Sequence, residues 1–175
     1  HQAAGVFGRK VPMVPASALD HAARPLGIDL MWFPSPMYEQ VDLPYIITIW
    51  DVEHRLQPYF PELGAYAEWT WREKLFGDTL RRATFVVTGT HVGRHEIVRF
   101  YGVDADRMSV IYNGTDVVKD EHIERSATPQ IIVLGRLVPH KRVELAIDAL
   151  ALLAPAHPDL SMLVVGSGWW GHRLE

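Results

Sequence analysis

The chain has 175 residues, 48% of them hydrophobic and 22% charged, and its 17 Lys/Arg against 21 Asp/Glu give a net charge of −4. That length and apolar share fit one domain, or two partial ones, and exclude disorder for most of the chain. The lack of cysteine removes disulfides, zinc–cysteine sites and thiol catalysis. No run reaches the roughly 18 to 20 apolar residues needed to cross a bilayer.

The predicted elements alternate. A helix over residues 16–26 stops at Gly27, and a strand over 28–33 follows. A second strand covers 45–50, then a long helix covers 65–82 with Gly77 inside it. A third strand over 84–87 leads through Thr90, a fitting N-cap, into a helix over 91–101 that ends at Gly102. A fourth strand spans 108–112. The stretch 117–130 is polar and nearly devoid of apolar pattern, and it reads either as a domain linker or as a surface helix within one domain. Beyond it come a strand over 131–134, a helix after Pro139 with Val143, Ile147, Leu150 and Leu153 on one stripe, and a strand over 161–165.

The strands are continuous in Ile, Val, Leu and aromatic residues rather than alternating, which suits strands covered on both faces of a parallel sheet. Strand–helix–strand repetition predicts an α/β fold. About four strands precede the polar stretch and about two follow it, fewer than the five or six usual in a doubly wound sheet, so both halves read as cut.

Charge is spread evenly along the chain, with 11 basic and 14 acidic residues up to Asp116 and 6 and 7 after it. A nucleic-acid groove needs a concentrated basic face, so no nucleic-acid partner is expected. No secretory leader pattern is visible, and the first residue is His1 rather than Met, so this terminus is expected not to be the start of translation.

Three strand ends carry chemistry. In the run from Val133 through Gly135, Arg136, Pro139, His140 and Lys141, a strand ends at Gly135 and a helix is expected near Pro139. Arg136 and Lys141 then flank a helix N-terminus at the carboxyl end of a strand, a place that attracts anions. Two cations there suit a diphosphate; the other reading is two solvated surface charges. In Val165-Gly166-Ser167-Gly168, the glycines allow close backbone approach, to a ligand or simply within a tight turn.

The third end is Trp50-Asp51-Val52-Glu53-His54-Arg55. Asp51 and His54 could bind or deprotonate a hydroxyl there. Alternatively, Asp51 caps a turn while His54 and Arg55 are merely exposed. Asn113-Gly114-Thr115-Asp116 is a turn closing the fourth strand. Of nine histidines only His91 and His95 have metal-like spacing, and they read as surface groups, so no metal site is expected.

Taken in order, these segments resemble the family 4 glycosyltransferases of the GT-B type. The pieces that carry the resemblance are the strand and loop over 48–61, Val86-Val87-Thr88-Gly89-Thr90, Tyr101-Gly102-Val103, Val110 through Asp116, Gly135 through Lys141, and Val165 through Gly168. The resemblance implies two Rossmann-like domains, each incomplete in this chain: residues 1–116 on the acceptor side, a linker over 117–130, and residues 131–175 beginning the domain that binds the sugar nucleotide. It implies a retaining enzyme that moves a sugar from a nucleotide-sugar donor to a glycan or lipid-linked acceptor, in polysaccharide or glycoconjugate synthesis. Arg136 and Lys141 match the family's cationic pair on the donor diphosphate, so no metal cofactor is expected.

On the acceptor side His54 and Asp51 are the expected catalytic residues, although many members place a histidine directly before the aspartate, where this chain has Trp50. Gly135, Gly166 and Gly168 would shape the nucleotide site. The expected location is the cytoplasm, with peripheral association at the inner face of the membrane. The family's first glycine-rich loop would precede the chain and its paired glutamates would follow Glu175, so this stretch alone is expected to transfer no sugar. The competing readings are a sugar-nucleotide epimerase of the same fold and a non-catalytic nucleotide-sugar-binding module.

Overall fold

A computed structural model describes residues 17–36, 39–116 and 126–168. Contacts divide the chain into two compact units, one within residues 1–56 and 69–114, the other within 57–68 and 115–175. Most of the expected linker, residues 117–125, lies outside the described residues, as does the stretch from Trp169 onward.

The first unit opens with α1 (Ala18–Ala23), which is set by a reciprocal capping box. Ser17 Oγ accepts from the Asp20 amide at 3.2 Å, and Asp20 Oδ2 accepts from the Ser17 amide at 2.9 Å. Asp20 also accepts from the Asp42 amide, tying α1 to the approach of the second strand. Four parallel strands then pair in chain order: β1 (Met31–Phe33), β2 (Tyr45–Ile49), β3 (Phe85–Thr88) and β4 (Met108–Val110). Between β2 and β3 lie α2 (Glu53–Leu56), α3 (Pro61–Gly64) and α4 (Tyr66–Arg82), and α5 (His91–Tyr101) links β3 to β4. Of these helices, α3 and the first turn of α4 fall in the second unit.

The register places Tyr45, Ile47 and Ile49 on one face with Val86 and Met108. All five are buried, in one cluster with Phe76 and Leu80 of α4 and Ile97 of α5. Full burial of such a side chain contributes about 1.5–3 kcal/mol, so this face carries much of the unit's stability. The opposite face is less covered: Trp32 is exposed and Ile46 and Phe85 are half-buried. Past Phe85, β3 is buried on both faces, whereas the β1 edge is not.

The second unit holds a parallel pair, β5 (Gln130–Leu134) and β6 (Ser161–Val165), joined through α6 (Val143–Leu153). Here the expectation of buried strands is corrected. Ile132, Leu134, Leu163 and Val165 are exposed among the described residues, because two strands and one helix cannot cover both faces of a sheet. The apolar stripe of α6 is only partly used: Val143 is buried, whereas Ile147 and Leu153 are exposed.

The helix after Pro139 is also corrected. Pro139–Lys141 is a 3₁₀ turn, Arg142 follows with a left-handed φ of 51°, and the α-helix itself begins at Val143. Proline at the first position of the turn agrees with its preset φ, but the turn ends as soon as Arg142 leaves the right-handed region.

Candidate functional site

In the first unit the carboxyl ends of β2, β3 and β4 form one rim. Asp51 is exposed just past β2. Its Oδ1 accepts from the Glu53 amide at 3.1 Å, which starts the α2 turn, and stands 3.4 Å from Arg72 Nη1. Trp50 beside it is 62% exposed, so an aromatic face stands open next to a carboxylate. At the end of β3, Thr90 caps α5 by accepting from the Gly93 amide at 2.9 Å. Gly93 packs tightly there: a Cβ would lie 3.0 Å from Thr88 Oγ1 and 3.2 Å from Thr90 Oγ1. Residues 111–116 past β4 are irregular and exposed, with the Tyr112 ring set edge-on to His91 at 6.3 Å. His91 and His95 are both exposed on α5.

His54 is elsewhere. The expectation that it faces solvent beside Asp51 is corrected: residues 53–56 form a helical turn, and the ring points inward with no exposed surface. His54 Nε2 lies 2.9 Å from Glu73 Oε1 and 3.0 Å from Tyr101 Oη, while Tyr101 donates to the same Glu73 oxygen at 2.7 Å. Arg55 donates to Glu73 through Nε at 2.6 Å and through Nη2 to the second oxygen. Its guanidinium lies over the rings of Trp69, Phe100 and Tyr101.

The donors and acceptors assign the protons. Glu73 takes hydrogen bonds from three side chains and is ionised, so Tyr101 must donate to it and His54 must carry its proton on Nε2. His54 Nδ1 is then a bare acceptor, buried and without a partner among the described residues. Burial pushes the Glu73 carboxyl up, but hydrogen bonds from Arg55, Tyr101 and His54 outweigh it and leave the group below its ordinary range. Burial lowers His54 despite the attraction of Glu73, and burial followed by the Glu73 hydrogen bond raises Tyr101. The ring is therefore neutral near pH 7, and its Nε2 is occupied by Glu73 and Tyr101. Glu73 and Tyr101 stand 19 and 47 residues from His54, and no local spacing announces that the three side chains meet.

In the second unit the two strand-end loops meet. Gly135 N donates to Val165 O at 3.0 Å and Leu137 N to Ser167 O at 2.9 Å. A Cβ on Gly166 would fall 1.7 Å from Gly135 O, and one on Gly168 would fall 2.5 Å from Leu137 O. The close approach these glycines permit is thus to the neighbouring backbone, whereas Gly135 itself has open space where a Cβ would be. Arg136 and Lys141 are exposed on this loop, and neither side chain has an ion-pair partner among the described residues. His140 between them is engaged: Glu62 Oε1 accepts from its backbone amide at 2.7 Å and lies 2.8 Å from its Nδ1.

Cations at one strand end suit an anion, and a carboxylate beside an open aromatic face at another can accept from a hydroxyl. The family described as Glycosyltransferase Family 4 matches residues 8–119, and that described as Glycosyl transferases group 1 matches residues 115–175. The chain belongs to the family 4 glycosyltransferases, with the GT-B fold. Among solved structures it is similar to a mutant of S. aureus TarM in complex with fondaparinux, alpha-GlcNAc-glycerol and UDP, and to a second crystal structure of TarM. Each match has a TM-score of 0.57 and 16% identity and covers 76% of this chain. At that identity the likeness is one of fold. The chain spans 25% of the length of either TarM chain. No curated protein matches it by sequence. Among the described residues no helix is long and apolar enough to cross a membrane.

Proposed function

We propose that this chain is the central part of a retaining glycosyltransferase that moves a sugar from a nucleotide-sugar donor to a glycan or lipid-linked acceptor. The observation that carries the reading is the pair of exposed cations, Arg136 and Lys141, which have no ion-pair partner among the described residues, on the loop between β5 and the start of α6. The two family matches, which meet at residues 115–119, support it. In this reading Arg136 and Lys141 neutralise the charge that builds on the departing diphosphate, and that does not call for a metal. Gly135, Gly166 and Gly168 let the two loops close up and so fix the backbone that carries the cations. The departing phosphate takes the proton of the acceptor hydroxyl, which attacks from the same face. Asp51 orients that hydroxyl. His54 acts behind it as a positioning residue, since the turn carrying Asp51 is pinned through His54 and Arg55 to Glu73. In this reading the reaction belongs to polysaccharide or glycoconjugate synthesis in the cytoplasm, with peripheral association at the inner face of the membrane.

Calorimetric titration of the full-length protein with UDP and GDP tests the phosphate assignment. Lys141→Ala is expected to weaken binding of whichever diphosphate the parent holds by about thirtyfold, as for loss of a charge-assisted hydrogen bond. The melting temperature should stay within about 1 °C, because an exposed side chain without a partner contributes little to folding. Unchanged binding in Lys141→Ala and Arg136→Ala would return both residues to the solvated surface.

A further inference from the structure

The 3₁₀ turn Pro139–Lys141 begins badly for a helical turn. Val138 at its cap position offers no side-chain acceptor, and neither does Arg142 at the start of α6. Arg142 also occupies the left-handed region, the one non-glycine residue to do so among the described residues. Such a conformation persists only where its surroundings over-determine it. Something must hold this turn.

Glu62 is placed to do so. It lies 78 residues upstream in sequence, yet its Oε1 accepts from the His140 amide and contacts His140 Nδ1. Its side chain is only 10% exposed. Burial alone would push its carboxyl up, but the His140 amide, its own backbone amide and the His140 ring together outweigh burial and keep it below the ordinary carboxylate range. The segment that carries it is itself closely packed. Gly64 N donates to Phe60 O at 2.7 Å, and a Cβ on Gly64 would fall 1.6 Å from Pro58 O. The Phe60 ring stands 6.3 Å from that of His140, at 63°. Residues 57–68 and the 135–142 loop fall in one compact unit, although the sequence assigns the former to the acceptor side.

From this geometry we infer that Glu62 is a positioning residue for the donor loop: it caps the His140 turn from a distance and so fixes where Lys141 presents its ammonium group. The inference rests on the diphosphate reading of Lys141 for its functional consequence, but not for the cap itself. One carboxylate oxygen serves two donors of one residue, which holds both the backbone and the ring of His140. The site the diphosphate would use is left to the neighbouring cations.

The test uses the full-length protein, with UDP and GDP titrations and amide hydrogen exchange of the 136–145 segment. Glu62→Ala is expected to weaken diphosphate binding about tenfold, the loss typical of one helix cap, and to speed exchange at the His140 amide by at least about tenfold. Glu62→Gln keeps an acceptor oxygen and should bind within about threefold of the parent. Parent-like or tighter binding in Glu62→Ala would overturn the inference, tighter binding marking Glu62 as an internal anion that competes with the ligand. Equal losses in both variants would also overturn it, since a cap needs an acceptor and not a charge. Lys141→Ala in the same titration separates the two claims. Should the parent bind neither nucleotide, or Lys141→Ala bind like the parent, the diphosphate reading fails, and exchange at His140 alone decides for or against the cap.

Discussion

Replacing Glu73 with alanine is expected to destabilise the protein by about 3 kcal/mol, a loss in the range for breaking a buried charge pair by removing one partner. Its carboxylate is the common acceptor of Arg55, His54 and Tyr101. Without it the guanidinium is left among three aromatic rings and the Tyr101 hydroxyl and His54 Nε2–H lose their acceptor, so several desolvated donors are orphaned at once. Glu73→Gln retains an acceptor oxygen and should lose roughly half as much. The pH dependence follows from the lowered folded-state pKa. The charge contributes fully above the unfolded value of about 4.3, and its contribution is lost as the pH falls through the depressed folded value. The stability gap between parent and Glu73→Gln should therefore narrow below about pH 4. Urea unfolding followed by tryptophan fluorescence measures both effects, and a loss under about 1 kcal/mol in Glu73→Ala would show that the network is not a keystone of this unit.

The second large effect is expected at Gly166. An alanine Cβ there would fall 1.7 Å from Gly135 O and 2.9 Å from Gly135 C, both backbone atoms that cannot swing aside as a side chain can. The loops must separate, at the expense of the bonds from Gly135 N to Val165 O and from Leu137 N to Ser167 O. Overpacking together with two weakened hydrogen bonds costs about 3 kcal/mol. The same substitution at Gly135 meets nothing within 4 Å and should be nearly neutral. The contrast isolates sterics from glycine's backbone freedom. Paired thermal melts of Gly166→Ala and Gly135→Ala check it, and equal melting temperatures would contradict the loop geometry.

Much of the fold was legible where signals are local. Helix α5 runs from its Thr90 cap to Gly102 at positive φ as its end residues predict, and β6 spans residues 161–165 as its apolar run does. The first and fourth strands are shorter than their apolar runs, since Ile28, Leu30, Ile111 and Tyr112 extend past the paired residues and are exposed. Pro139 correctly marked a helical start, but nothing in the sequence reveals that Arg142 turns left-handed and delays α6 by four residues. The candidate sites divided in the same way. That Asp51 and Arg136 fall just past strand ends could be read from the apolar runs before them. The inward turn of His54 could not, because its burial depends on Glu73 and Tyr101 from two other helices. The hold of Glu62 on His140 spans an even greater distance in sequence and left no trace in either local pattern.

In the proposed function the loop after β5 grips the paired phosphates of a nucleotide. The most direct measurement compares UDP with UMP, and GDP with GMP, by calorimetry on the full-length protein at one ionic strength. A diphosphate bound at least about tenfold more tightly than its monophosphate is the predicted result, since the added phosphate gains charge-assisted hydrogen bonds from Arg136 and Lys141. Equal affinities, or binding that is unaltered when both residues become alanine, would contradict it.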